Sequence, residues 1–225
     1  MTTIAIITAM DCEYEAIYSL YDFKTTSDLA KVNIYDKTVY LIKSGIGKVN
    51  AALATNLAIQ KGADIVITTG LAGGIDDCLS QGDIVLADKT CYHDVWCGSP
   101  NLKGQVQDFP LYFDLSLKLK ELLHPVAESK GWKIGLTVTG DQFLTDAEAL
   151  KQIKTDFESA LAVDMESASV AQTCYLNNKP YISLRIISDV VGKENQVEQY
   201  NTFWENIPRC ASEMVDEILK SLSLK

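Results

Sequence analysis

The chain has 225 residues, of which 47% are hydrophobic, so it can bury the core of one sizeable domain. Its formal net charge of −10 argues against nucleic acid as a partner, because a phosphate backbone requires patches of lysine and arginine. No apolar run approaches the ~18 residues of a membrane span, and the chain opens directly on a strand-like run, so we expect no secretory signal and a cytoplasmic location.

Short apolar runs alternate with helix-like segments along the chain. Strands are predicted at 4–8, 64–68, 82–87, 134–138, 161–163 and 181–187, together with a hairpin at 32–42 that turns at Asp36 and Lys37. Helices are predicted to begin near Asp11, near 51 and near 165. Another helix is predicted over 115–123, where Pro125 should kink or end it, and another over 146–156 with Asp146 as its cap. A last helix is predicted to end at about Leu222. This alternation predicts one α/β domain over residues 1–225, with helices flanking a mixed, largely parallel sheet.

Acidic residues follow several of these strands. In open α/β sheets ligands bind beyond the carboxyl ends of the strands, and Glu13 lies at the junction between the first strand and a helix. The same residue has a plainer explanation, because acids stabilise a helix amino terminus and Asp11 is a plausible N-cap. The residues alone leave both interpretations open.

The segment from Leu161 to Val190 is the strongest candidate for a site. Its first strand leads into Glu166, and its second strand carries Arg185 in the middle and Ser188-Asp189 at the end. Acids and an arginine in the crevice at the strand ends are typical of a binding or catalytic site.

Glycines also cluster where a ligand could approach the backbone. Gly45 and Gly47 precede a helix, and the run at 70–74 directly follows a strand. Neither matches a phosphate-binding fingerprint, and a tight turn would use the same residues. The loop at 96–113 is long for a compact domain, which favours a functional role.

We expect no metal and no cofactor. Cys91, His93 and Cys97 are the nearest approach to a ligand set, but nothing close by supplies a fourth ligand at a spacing that zinc sites use. The six scattered cysteines are interpreted mainly as buried thiols.

Taken together, the motifs resemble the nucleoside phosphorylase/hydrolase superfamily, and within it the bacterial 5'-methylthioadenosine/S-adenosylhomocysteine nucleosidases. The matching segments span nearly the whole chain and lie at 9–13, 45–52, 69–74, 82–85, 92–94, 140–143, 163–166 and 187–190. The resemblance implies a nucleoside phosphorylase-like fold and a homodimer. It also implies hydrolysis of the N-glycosidic bond of 5'-methylthioadenosine and S-adenosylhomocysteine, which releases adenine and the 5'-thioribose.

The resemblance also implies a role for each candidate residue. Asp189, oriented by Ser188, is similar to the acid that protonates the leaving adenine. Glu13, assisted by Arg185, resembles the base that activates water, and Glu166 resembles the carboxylate that binds the sugar hydroxyls. The remaining implied contacts are Phe143 and Leu144 with adenine, Met10, Ile46 and Met165 with ribose, and Tyr200 as a lid residue. Without the resemblance, the apolar members of this set would be interpreted as core.

Two departures from the family pattern concern the pocket. Leu71 stands where relatives carry a small hydroxyl residue, so a hydrogen bond near the acid is expected to be missing or replaced. The loop at 96–113, which in the family helps to form the pocket for the 5' substituent, often with a neighbouring subunit, matches poorly. The cleavage reaction is therefore better specified by the sequence than the group at the 5' position.

Three other functions remain open. A phosphorylase would need a cationic cradle for phosphate, and the only arginines are Arg185 and Arg209. A non-catalytic nucleoside-binding protein would not require three acids. Hydrolysis of a futalosine compound uses similar chemistry on a different 5' group, and no motif separates it from the first interpretation.

Overall fold

The computed structural model describes residues 1–26, 29–203 and 207–222, which form ten strands and seven helices. The strands are β1 (Thr2–Thr8), β2 (Lys24–Thr25), β3 (Ala30–Ile34), β4 (Lys37–Lys43), β5 (Ile65–Gly74), β6 (Ile84–Tyr92), β7 (Phe113–Asp114), β8 (Lys133–Thr139), β9 (Ala160–Asp164) and β10 (Tyr181–Val190). The helices are α1 (Asp11–Tyr18), α2 (Lys48–Gln60), α3 (Leu117–Lys130), α4 (Ala147–Asp156), α5 (Ser167–Leu176), α6 (Gln196–Thr202) and α7 (Ile207–Ser221).

All ten strands belong to one mixed sheet, which confirms the predicted type of sheet, although the short strands β2 and β7 were not predicted. Strands β10, β6, β8, β9 and β5 follow one another, and β10 pairs again with β5, so these five strands close a ring. From β5 the sheet continues through β1, β4, β3 and β2. The longest pairings, β10 with β5, β6 with β8 and β1 with β4, are parallel.

Helices cover both faces of the sheet, and β1 shows how the sequence produces this arrangement. Ile4 and Ile6 pack into a core shared with α1, α3 and α7, whereas the alternate residues Ala5 and Ile7 pack into a second core shared with α2 and α5. Since successive side chains point to opposite faces of a strand, a continuous apolar run is what a strand buried on both faces requires.

Several predicted boundaries are wrong, and the differences have physical reasons. The hairpin turns at Tyr35 and Asp36, one residue earlier than predicted, and both residues have positive φ. Helix α3 continues past Pro125 to Lys130 and ends before Gly131, whose left-handed conformation suits a helix end. Helix α6 was not predicted, because its polar sequence lacks a clear apolar period.

Two strands that lead to the candidate site are longer than predicted. Residues 70–74 belong to β5 rather than to a loop after it, and Ser188 and Asp189 belong to β10. The register between these strands shifts between Ile187 and Asp189, which leaves Ser188 as an extra residue. Such bulges re-aim side chains and are frequent beside active sites.

Among the described ranges, no helix is both long and apolar enough to cross a membrane.

Candidate active site

The carboxyl ends of β1, β5, β9 and β10 surround a cavity that opens to solvent, with an empty volume of about 590 Å³ when its opening is included. Three acids predicted from the sequence, Glu13, Glu166 and Asp189, open onto this one cavity. The other predicted residues that line it are Met10, Ile46, Phe143, Leu144, Met165, Ser188 and Tyr200. Arg185 is the one predicted site residue that lies behind the lining.

Glu13 is held by the backbone on both sides of its carboxylate. Its Oε2 accepts the N–H groups of Ala9 and Met10 at 2.9 and 3.0 Å, and its Oε1 accepts the N–H of Leu71 at 2.8 Å. The N-cap of α1 is Met10, so the prediction of Asp11 is wrong: Glu13 serves the helix start and the cavity together. Burial raises the pKa of Glu13, while these N–H groups and the Arg185 charge oppose that rise.

Close approach to Glu13 explains a glycine in β5. A Cβ atom on Gly70 would lie 2.4 Å from Oε1 of Glu13, well inside contact distance. The bare backbone at Gly70 therefore leaves the space that the carboxylate occupies.

Glu166 lies at the amino end of α5 and is 7% exposed. Its Oε1 accepts the N–H of Gly47 at 2.9 Å, and Gly47 reaches this position with a φ of +95°. Burial raises the pKa of Glu166, and the charge of Arg185, whose guanidinium lies 3.9 Å from Oε2, lowers it. The glycines before α2 thus contact a site carboxylate directly.

Arg185 is 1% exposed and belongs to a buried polar network under the cavity. Its Nε donates to Oδ2 of Asp164 at 2.6 Å, and its NH2 group donates to Oγ1 of Thr68 at 3.1 Å. Thr139 and Ser167 also donate to Asp164, which fixes the carboxylate opposite the guanidinium. A buried ion pair needs such additional hydrogen bonds to offset its desolvation.

Asp189 is 1% exposed and accepts one hydrogen bond on each oxygen. Ser188 donates to Oδ1 at 2.6 Å, and the amide of Gln196 donates to Oδ2 at 2.8 Å. Burial raises the pKa of Asp189, and the two hydrogen bonds oppose the rise. Neither donor comes from Leu71, whose side chain has no hydroxyl group.

Aromatic and apolar side chains form the rest of the cavity. The rings of Phe143 and Tyr200 lie with centroids 5.0 Å apart and planes inclined at 58°. Phe143 and Ile46 are each half exposed, whereas Leu144 is buried. The arrangement offers one apolar, aromatic end for a flat base and an acidic end for a polar group.

Sequence reasoning missed Asp164 and Gln196. Asp164 lies two residues before Glu166, and its place at the end of a predicted strand was a usable signal. Gln196 had no local signal, because the helix that carries it was not predicted.

The loop at 96–113 does not reach the cavity of its own chain. None of its residues is among the described residues that line the cavity. Its aromatic Phe109 packs instead against Tyr175 of α5, with ring centroids 6.0 Å apart.

Comparisons with known proteins agree with this geometry. The family model of the phosphorylase superfamily matches residues 3–220. The 5'-methylthioadenosine/S-adenosylhomocysteine nucleosidase of Staphylococcus saprophyticus is 38% identical over 196 residues, which cover 85% of this chain and 86% of the relative.

Solved structures give the same result. The nucleosidase of that name from Neisseria meningitidis, in complex with methylthio-immucillin-A, superposes with a TM-score of 0.91 at 34% identity, covering 98% of this chain and all of the other. A futalosine hydrolase mutant of Helicobacter pylori strain 26695 superposes with a TM-score of 0.89 at 26% identity, covering 98% of this chain and 99% of the other. The chain therefore belongs to the phosphorylase superfamily, and within it to the 5'-methylthioadenosine/S-adenosylhomocysteine nucleosidase family.

Proposed function

We propose that the protein hydrolyses the N-glycosidic bond of 5'-methylthioadenosine and S-adenosylhomocysteine, releasing adenine and the 5'-thioribose. The observation that carries this proposal is the convergence of three buried carboxyl groups, of Glu13, Glu166 and Asp189, on one cavity with an aromatic end. The names of the related nucleosidases support the choice of substrates.

Asp189 is the general acid in this proposal. Adenine is a poor leaving group until N7 is protonated, so an acid that keeps its proton near neutral pH is required. Burial raises the pKa of Asp189 and thereby favours the protonated form. Ser188 orients the carboxyl group through its hydrogen bond to Oδ1.

Glu13 is the general base. It removes a proton from the water that attacks the anomeric carbon, while the electrons of the broken bond move to the protonated adenine. Three backbone N–H groups keep the carboxylate in place, and Arg185 supplies a nearby positive charge. A positioned acid or base contributes typically ~10²–10⁴-fold each.

Glu166 accepts the sugar hydroxyls and stabilises the positive charge that develops on the ribose. Its carboxylate is fixed by the N–H of Gly47, and Arg185, fixed in turn by Asp164, lies beneath it. Preorganised charge of this kind is often the largest contribution to catalysis.

The remaining lining residues bind the substrate. Phe143 and Leu144 contact adenine, with the ring stacking on the base and backbone groups reading its edge. Met10, Ile46 and Met165 contact the ribose, and Tyr200 covers the cavity as a lid. The contact between the Phe143 and Tyr200 rings supports this placement, because it joins the segment expected to contact adenine to helix α6, which carries Tyr200.

Two alternatives are separable by experiment. A phosphorylase would bind a phosphate dianion where Glu13 would repel it, and Arg185 already pairs with Asp164. A futalosine hydrolase is favoured as the second candidate by the similarity to the Helicobacter pylori structure.

The test is to incubate the purified protein with methylthioadenosine, adenosylhomocysteine, inosine and aminofutalosine, with and without phosphate, and to quantify the released base by chromatography. Phosphate-independent release of adenine from the first two supports the proposal. Dependence on phosphate, or turnover of aminofutalosine alone, would replace it with one of the two alternatives.

We also infer that the protein acts as a homodimer. Exposed apolar side chains lie on the packed helices α2 and α5, namely Val49, Leu53, Tyr175 and Leu176. Ile46, on the cavity rim just before α2, extends this face to the site. A second copy covering the face would therefore also lie beside the cavity. The cytoplasmic location and the single domain over 1–225 stay predictions from the sequence.

A further inference from the structure

Gln196 occupies a buried position between three segments of the site. It is 4% exposed and begins helix α6. Its Nε2 donates to Oδ2 of Asp189 and to the carbonyl oxygen of Leu144, both at 2.8 Å, and its Oε1 accepts the N–H of Gly192 at 3.1 Å. Both N–H donors of the amide are therefore used and its oxygen accepts one bond, which together define its orientation.

The two hydrogen-bond partners of Asp189 differ in which protonation state of its carboxyl group they can bond. The hydroxyl of Ser188 lies 2.6 Å from Oδ1 and 3.3 Å from the carbonyl oxygen of Ala72. It can donate to the carboxylate, or accept from the protonated acid and donate to Ala72. The NH2 group of Gln196 can only donate, so it favours a carboxylate oxygen that carries no proton.

Few groups around Asp189 other than Gln196 can stabilise its carboxylate form. The ionisable side chains that line the cavity with Asp189 are Glu13, Asp164, Glu166 and Tyr200. The described residues of β5 and of the 142–144 segment that line the cavity have no ionisable side chain. Burial raises the pKa of Asp189, and only the bonds from Ser188 and Gln196 lower it.

We propose that Gln196 is a positioning residue for Asp189, which holds the carboxyl group against the Leu144 segment and stabilises the carboxylate left when the proton passes to N7 of adenine. This inference rests on the proposed function, because it assigns Gln196 to the acid of that reaction. The step is balanced: the O–H bond of Asp189 breaks, the N7–H bond forms, and the electron pair remains on the carboxylate. The bond to Leu144 also connects Asp189, through Gln196, to the segment expected to contact adenine. One side-chain amide therefore aligns the general acid with the adenine that it protonates.

The test replaces Gln196 with methionine, which keeps the length and removes the donor. Gln199→Met is the matched control, because Gln199 lies on the same helix and bonds Val190 and Asn195 rather than Asp189. Loss of one hydrogen bond to a charged group predicts a fall in kcat of about 10- to 100-fold. The alkaline limb of the pH profile, which reports loss of the proton from Asp189, should move to higher pH in Gln196→Met and stay in place in Gln199→Met.

A direct titration separates this inference from the proposed function. The carboxyl carbon of Asp189, labelled with ¹³C and assigned with Asp189→Asn, is followed by NMR in the ligand-free protein. A higher pKa in Gln196→Met than in wild type supports the inference even if methylthioadenosine is not the substrate. An unchanged pKa overturns it, even if the wild-type enzyme is active.

Gln196→Glu guards against a variant that fails to fold, because it keeps an acceptor for Gly192 and replaces the donor with an acid. The two carboxyl groups should then titrate as a pair, and the upper of their two pKa values should lie above that of Asp189 in wild type. An upper pKa at or below the wild-type value would also overturn the inference.

Discussion

At the scale of single residues, Glu13 combines two tasks that usually fall to different side chains. It caps α1 through the N–H of Met10, and it presents the same carboxylate to the cavity. Replacing it with glutamine removes the basic oxygen while keeping the shape. We expect Glu13→Gln to reduce kcat by at least about 10²-fold, the lower end for a lost general base, while a non-hydrolysable adenine nucleoside still binds.

The control for this variant is Glu15→Gln, an exposed position two residues further along the same helix. It should turn over at the wild-type rate in the same chromatographic assay. A Glu13→Gln variant with near-normal kcat would remove Glu13 from the role of base.

Replacing Asp189 with asparagine should lower the activity but raise the free energy of unfolding. Burial raises its pKa, so the wild-type protein loses free energy of unfolding as pH rises through that raised value. Asparagine carries no charge to bury, and it fits the site because its oxygen can accept from Gln196 while its amide donates to Ser188. Asp189→Asn should therefore be nearly inactive yet more stable near about pH 8, by about 1.4 kcal/mol for each unit by which the pKa is raised.

Urea unfolding of both proteins from about pH 3 to about pH 8 measures this difference. The two curves should converge at the acid end, because below the ordinary pKa both proteins carry a neutral group. A variant that is less stable at every pH would show that the wild-type carboxyl is not strained by burial.

The sequence predicted the identity of the site acids better than what holds them. Glu13, Glu166 and Asp189 were found because acids at strand ends are unusual and because the motifs resemble a known family. Their partners are mostly backbone N–H groups, of Leu71 and Gly47 among others, and these have no side-chain signature. Gln196 lies beside Asp189 because it begins helix α6, which the sequence did not predict.

At the scale of elements, β5 explains why its glycines lie within a strand. The strand pairs with β10 along its length, with β1 along its first half and with β9 at its end, so three strands share its backbone. A side chain at Gly70 would collide with Glu13, whose carboxylate cannot move away because three N–H groups hold it. Sequence periodicity could indicate the first half of this strand, but only the tertiary contacts define the second half.

This crowding makes Gly70→Ala a sharp test of the site. We expect a loss of activity at least as large as for Glu13→Gln, because the new methyl group would displace the carboxylate from its N–H donors. Gly131→Ala is the control for stability alone: that glycine ends α3 with a φ of +71° and has open space around it. It should cost about 1 kcal/mol in urea unfolding and leave kcat unchanged, whereas a fully active Gly70→Ala would contradict the placement of Glu13.

At the scale of the whole molecule, the closed ring of strands determines where the site forms. The ring brings the ends of β5, β9 and β10 together and so assembles acids that lie far apart in the sequence. The two helices on one face, α2 and α5, begin at this cavity, with Glu166 at the start of α5. A molecule that covered this face would therefore act directly on the site.

The proposed dimer can be tested on that face. Val49 and Leu53 are four residues apart on α2 and are exposed together, so Val49→Asp combined with Leu53→Asp places two charges where an apolar contact is expected. We expect wild type to sediment as a dimer, and the double variant to sediment as a monomer with a higher KM for methylthioadenosine and an intact far-UV circular dichroism spectrum. Leu117→Asp, at an exposed position on α3, controls for the added charge and should remain dimeric. If wild type is a fully active monomer, the cavity needs no second copy and the exposed face requires another explanation.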